Sequence, residues 1–125
     1  MFINVSNHVS EKWSVEQTQA AKKYGDIKDL IFPQISTLFT SADIDRLVDK
    51  YINEILNITN KYPEDCTLAV MVQGEFVFTF RLVTELKKAG ITAVAARTER
   101  KAIEKVENGI TKTTSEFKFA GFMEY

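Results

Sequence analysis

Three short polar stretches carry the side chains that could do chemistry: Ser6-Asn7-His8, Gln73-Gly74-Glu75 and Arg97-Thr98-Glu99-Arg100. Ser6, Asn7 and Thr98 can donate hydrogen bonds to phosphate or ribose oxygens. Arg97 and Arg100 can add charge and a bidentate fork. Gly74 lacks a Cβ, so backbone N–H groups beside it can approach an anion at the start of a helix. An imidazole such as that of His8 can give or take a proton near neutral pH. Trp13 offers a face on which a base can stack, although a lone Trp more often anchors a core. Taken together, these residue types suit a ligand that carries phosphate. The plainer reading is that each stretch is a polar connection, as found at the edge of every parallel α/β sheet.

Other chemistries are missing from the chain. There is no Gly-x-x-x-x-Gly-Lys phosphate loop, no Gly-x-Gly-x-x-Gly dinucleotide turn and no Gly-x-Ser-x-Gly elbow. Cys66 and His8 are the single cysteine and the single histidine, which leaves no intrachain disulfide, thiolate cluster or pair of imidazoles. No cofactor and no metal site are expected. Catalysis would then work by holding a substrate whose own group attacks, such as a ribose 2′-hydroxyl on its neighbouring phosphate.

The elements that must position these residues follow from pattern. Residues 2–5 are short, apolar and β-prone, and read as a first strand. Ser14-Val15-Glu16-Gln17 fits a capping box, so a helix is expected over 15–24 with Gly25 as its stop. Residues 27–32 read as a second strand, closed by Pro33. From Thr40 to Pro63, apolar residues at spacings of three and four (Ile44, Leu47, Val48, Tyr51, Ile52, Ile55) predict a long helix with one buried stripe. Residues 68–72 form a continuous apolar run, the mark of a strand covered on both faces. The stretch 76–86 fits either an alternating strand or a helix. The basic Lys87-Lys88 turn and Gly90 favour helix, which then crosses to a fourth strand at 91–96. Asn108-Gly109 predicts the turn of a β-hairpin between 102–106 and 110–122.

This order predicts one α/β domain over 1–125. It should be a small three-layer Rossmann-like fold with a mainly parallel sheet, order 2-1-3-4, and a C-terminal β-hairpin. Ligands in such sheets sit beyond the carboxyl ends of the strands, where the order reverses. All three polar stretches fall at that edge.

The chain has 125 residues, 45% of them hydrophobic and 26% charged, enough for one core without staples. Lys+Arg 16 against Asp+Glu 17 gives a net charge of −1, so duplex nucleic acid is not an expected partner. No apolar run approaches the roughly 20 residues that span a bilayer, and the start of the chain lacks the pattern of a signal peptide. A soluble, cytoplasmic protein without a membrane partner is expected.

Three blocks point further. They are Ile3-Asn4-Val5-Ser6-Asn7-His8 with Trp13-Ser14 and Glu16-Gln17; Val72-Gln73-Gly74-Glu75 with Phe78-Thr79-Phe80; and Ala95-Ala96-Arg97-Thr98-Glu99-Arg100 leading to Phe117 through Tyr125. Across nearly its whole length the chain resembles the small stand-alone CRISPR-associated proteins with a CARF-like, Rossmann-type domain, some of them ring nucleases. The resemblance implies a homodimer that binds a cyclic oligoadenylate across its two-fold axis. It implies a base and ribose cradle that includes Gln73, Gly74 and Glu75, beside the ligand-binding candidates Asn7, Trp13, Arg97 and Thr98 read from residue type. It also implies metal-independent ring opening, with Ser6, His8 and Arg100 as the catalytic residues. Two other readings stand beside it. One is a sponge or sensor that holds a cyclic nucleotide without cutting it. The other is a protein-interaction module that uses an exposed aromatic surface.

Overall fold

The computed structural model describes residues 1–125. The elements run β1 (Phe2–Ser6), a 3-10 turn (Ser10–Lys12), α1 (Val15–Lys22), β2 (Ile27–Ile31), α2 (Ser41–Thr59), β3 (Ala69–Gln73), α3 (Phe76–Lys88), β4 (Thr92–Glu107) and β5 (Ile110–Glu124). They form one five-stranded sheet in the order β2-β1-β3-β4-β5. The first four strands are parallel, and β5 returns antiparallel to β4. The fold is therefore α/β, with the expected 2-1-3-4 order and a C-terminal hairpin at the sheet edge.

Alternation along the strands divides the core between two faces. Ile3, Val5, Val70, Val72 and Ala93 point to one side, where they meet α2 and α3 through Val48, Ile55, Phe78, Leu82 and Leu86. Phe2, Ala69, Met71 and Val94 point to the other side and pack with Ala21 of α1. Helices on both faces make three layers. Each large side chain fully removed from water contributes about 1.5–3 kcal/mol to holding them together.

Local chemistry sets the helix ends. The Ser14 hydroxyl accepts from the Gln17 N–H at 3.2 Å and starts α1. The reciprocal half of that capping box is absent, and Gln17 is among the residues that line the cleft described below. The full box forms one helix later, between Thr40 and Asp43 at the head of α2. The 76–86 stretch is helix. Phe78, Leu82, Val83 and Leu86 share its buried face, while Phe76 and Phe80 stand 89% and 73% exposed on the other.

One expectation is corrected. A fourth strand at 91–96 was to be followed by a loop and then a separate hairpin. Instead β4 runs unbroken for 16 residues and is itself the first arm of the hairpin. Arg97, Thr98, Glu99 and Arg100 are strand residues paired to β5, not a loop. Polar composition marked their exposure, but no Gly or Pro stands there to break the strand. The turn is at Asn108-Gly109 as expected, both with positive φ (51° and 75°). A register shift between Arg97 and Thr98 leaves Ala120 as an extra residue on β5. That bulge brings Phe119 and Phe122, three residues apart, to the same face, where their rings meet edge to face at 5.0 Å. No helix is long and apolar enough to cross a membrane.

Candidate functional site

A cleft of about 520 Å³ opens at the carboxyl ends of β1 and β3, on the α1 side of the sheet. Its floor is Met71, Gln73 and Ala96, and the loop after β1 gives Ser6, Asn7 and His8. Lys12, Trp13, Ser14 and Gln17 from the entry to α1 form one wall. Thr98, Phe117 and Phe119 of the β4–β5 hairpin form the other, and Gly74 completes the rim. The volume lies within the few hundred to about 1,000 Å³ typical of small-molecule sites.

Seven of the residues singled out from sequence meet here: Ser6, Asn7, His8, Trp13, Gln73, Gly74 and Thr98. Three do not. The Glu75 carboxylate caps α3, accepting from the Val77 N–H at 3.0 Å and the Phe78 N–H at 2.8 Å. It therefore fills the position an anion would take at that helix end, and neither cradle nor phosphate seat is left there. Arg97 is on the opposite face of β4 from Thr98 and Ala96. Arg100 shares the cleft's face but lies further out along the hairpin, where its Nε donates to Ser115 Oγ at 3.0 Å. Being in a strand rather than a loop holds both arginines away.

The role of Gly74 also changes. A Cβ at this position would meet the Phe32 ring at 2.3–2.7 Å, so glycine is required by packing against Phe32 from the other side of the sheet.

A buried network holds the loop after β1. Asn4 is 1% exposed. Its Nδ2 donates to the His8 carbonyl at 2.8 Å and to Asp29 Oδ1 at 2.7 Å, and its Oδ1 faces Ser6 Oγ at 2.7 Å. Ser6 Oγ in turn accepts from the His8 N–H at 3.2 Å. The Trp13 indole N–H reaches the same His8 carbonyl at 3.2 Å. Asp29 completes the set by accepting from the N–H of Ser10 at 3.1 Å and its hydroxyl at 2.8 Å. The main chain of His8 is thus gripped from three side chains while its own side chain stays exposed. The Ser6 hydroxyl finds its acceptors within the chain, Asn4 Oδ1 at 2.7 Å and the His8 carbonyl at 3.1 Å, which makes Ser6 a positioning residue. Asn4 and Asp29 escaped the sequence reading. The signal for Asn4 was its type, since Asn is depleted in buried strands and persists there only when hydrogen-bonded.

Two further contacts shape the floor. The Gln73 Oε1 accepts from the Ala96 N–H at 3.0 Å, extending the β3–β4 pairing by one side chain and leaving the Gln73 Nε2 hydrogens free. Trp13 stands edge-on to Phe2 at 6.0 Å, and Phe2 meets Phe122 in a tilted contact at 4.8 Å. The tryptophan serves core and cleft at once.

The charge pattern of the lining is one-sided. Of the 17 Asp and Glu residues in the chain, none lines the cleft. Lys12, His8 and neutral amide and hydroxyl groups do, beside the aromatic rings of Trp13, Phe117 and Phe119. Such a surface suits an anionic ligand with flat apolar parts. The fold and the cleft define a Rossmann-like α/β protein with a cleft of small-molecule size at the switch point of its sheet. The chain belongs to the uncharacterized protein MJ1673 family, whose model matches residues 1–123. No curated protein and no solved structure matches it.

Proposed function

We propose that this protein binds a cyclic oligoadenylate messenger in the cleft between the β1 loop, the entry to α1 and the β4–β5 hairpin. The observation that carries the reading is the lining: free of carboxylates, with Lys12 and several neutral donors beside three aromatic rings. Phosphates would lie toward Lys12, Asn7 and Thr98, and adenine bases would stack on Trp13, Phe117 or Phe119. The resemblance to small CARF-like proteins agrees with this placement and adds a homodimer.

Ring opening is the catalytic form of the proposal. The ribose 2′-oxygen attacks the adjacent phosphorus, the bond from phosphorus to the 5′-oxygen breaks, and a 2′,3′-cyclic phosphate remains. The proton of the 2′-hydroxyl passes to the His8 imidazole, and the departing 5′-oxygen takes one back. Lys12 offsets the charge gathering on the phosphoryl oxygens. Ser6 and Arg100 have no direct part in this version, because the Ser6 hydroxyl is engaged with Asn4 and the His8 carbonyl and Arg100 lies along the hairpin. The same two facts favour a second reading, in which the protein sequesters the ligand intact.

Incubation with cyclic tetra-adenylate, followed by chromatography of the recovered nucleotide, separates the two. A linear product that falls about 10²-fold in rate in His8→Ala supports ring opening. Intact ligand that co-elutes with the protein supports sequestration. Neither product nor co-elution, with any ring size, overturns both.

A further inference from the structure

Beyond the sheet edge, residues 98–107 and 110–119 continue as a two-stranded ribbon that no other element covers. At 3.3 Å per residue it projects about 30 Å. An isolated two-stranded ribbon is marginal in water, so a long one needs a surface to lie on.

The two faces of the ribbon differ. One carries Glu99, Lys101, Lys105, Glu107, Lys112, Glu116 and Lys118. Several of these charges are matched within the chain: Glu99 is paired across the strands with Lys118, Lys101 with Glu116, and Lys112 sits 3.7 Å from Glu107. This is a solvated face. The other face, continuous with the cleft, has only two charges, Arg100 and Glu104. Neither has an ion-pair partner in the chain. Four residues apart on one strand, they are separated by about 13 Å and cannot reach each other. Between them is Ala102, registered with Ser115, the smallest pair on that face.

We infer that this face is a two-fold interface with a second copy of the chain, centred on Ala102 and Ser115. A dyad in the interface, perpendicular to the strands, lays β4 on the partner's β4 and reverses its direction. Arg100 then meets Glu104 of the partner subunit, and Glu104 meets Arg100 of the partner subunit, the self-complementary pattern a two-fold contact requires. In the single chain Arg100 Nε donates to Ser115 Oγ at 3.0 Å; once Arg100 turns to Glu104 of the partner subunit, the small central pair lets the backbones approach closely. The same operation sets Val106 of the partner subunit over Thr98, so each ribbon tip closes the mouth of the other protomer's cleft. The pairing stands on the ribbon alone. Its effect on ligand rests on the messenger reading.

Charge reversal tests it without ligand. Sedimentation velocity on Arg100→Glu and on Glu104→Arg should show dimer affinity reduced about tenfold or more in each, and the double reversal should restore it, as coupling between close interfacial charges demands. Circular dichroism confirms that each variant is folded. Unchanged dimerisation in both single variants, or no recovery in the double, overturns the interface. Cyclic tetra-adenylate and cyclic hexa-adenylate are then each titrated into all four proteins. Affinity that falls and recovers with the dimer supports the closed cleft. A rescued dimer that binds no cyclic oligoadenylate keeps the interface and removes the messenger reading.

Discussion

Asn4 and Asp29 are register partners on β1 and β2, and Asn4 Nδ2 donates to Asp29 Oδ1 at 2.7 Å. Through this bond a sheet pairing becomes a loop position, because the same two side chains also hold Ser10 and the His8 carbonyl. Rigid strands thus fix the loop that forms one side of the cleft. A site built this way loses less order on binding than one carried on a free loop.

Asn4→Ala should therefore act on both stability and site. Removing the amide leaves buried partners unsatisfied and costs about 1–3 kcal/mol. Urea unfolding measures that loss. The released loop should also weaken ligand binding. A variant with the wild-type midpoint would show that water replaces the amide.

Gly74→Ala tests why glycine stands at the cleft rim. Its Cβ would lie 2.3 Å from Phe32 Cζ, and the overpacking should cost about 1–3 kcal/mol. In a Phe32→Leu background the same change should cost markedly less. An equal cost in both backgrounds would return the glycine to a backbone role at the ligand.

How much of this was legible in the chain differs by range. Ser14 as N-cap, the stripe from Ile44 to Ile55 and the Gly90 stop are local signals; the strand order follows from the doubly wound pattern these elements make, and the crossover rule puts helices on both faces. The continuity of β4 was hidden, because a ribbon exposed on both sides has no hydrophobic period to announce it. The Asn4–Asp29 and Gly74–Phe32 relationships join residues 25 and 42 positions apart, and only the register and layering bring them together. For the same reason, the cleft could be placed at its edge in advance while Glu75, Arg97 and Arg100 were assigned to it and Lys12 was not.

Thr79 is buried in α3, and its Oγ1 has no hydrogen-bond partner. Thr79→Val keeps the shape and removes the unsatisfied hydroxyl. The variant should gain about 1 kcal/mol in urea unfolding. A loss of that size would reveal an ordered water at the hydroxyl.

Two tyrosines should set the alkaline limit of stability. Burial pushes the Tyr125 hydroxyl above its usual 10.0, and this group donates to the Val72 carbonyl at 2.6 Å. Burial, with a smaller effect from the Glu54 charge, does the same to Tyr51, which donates to the Ile31 carbonyl. Folded protein holds these protons more tightly than unfolded chain. Their contribution is thus complete below pH 10 and is lost as pH rises through the folded values. Urea midpoints taken across this range should fall. Tyr51→Phe and Tyr125→Phe should each flatten the fall, and an unchanged slope in both would contradict the assignment.

The central claim is that the carboxylate-free cleft is an anion site for a cyclic oligoadenylate. Isothermal titration with cyclic tetra-adenylate and cyclic hexa-adenylate, on wild type and on Lys12→Glu, addresses it most directly. Binding of at least one ring should be saturable and weakened about tenfold or more by the reversed charge, as a change of some 1.4 kcal/mol requires. Absence of heat with both rings, or equal affinity in Lys12→Glu, would contradict it.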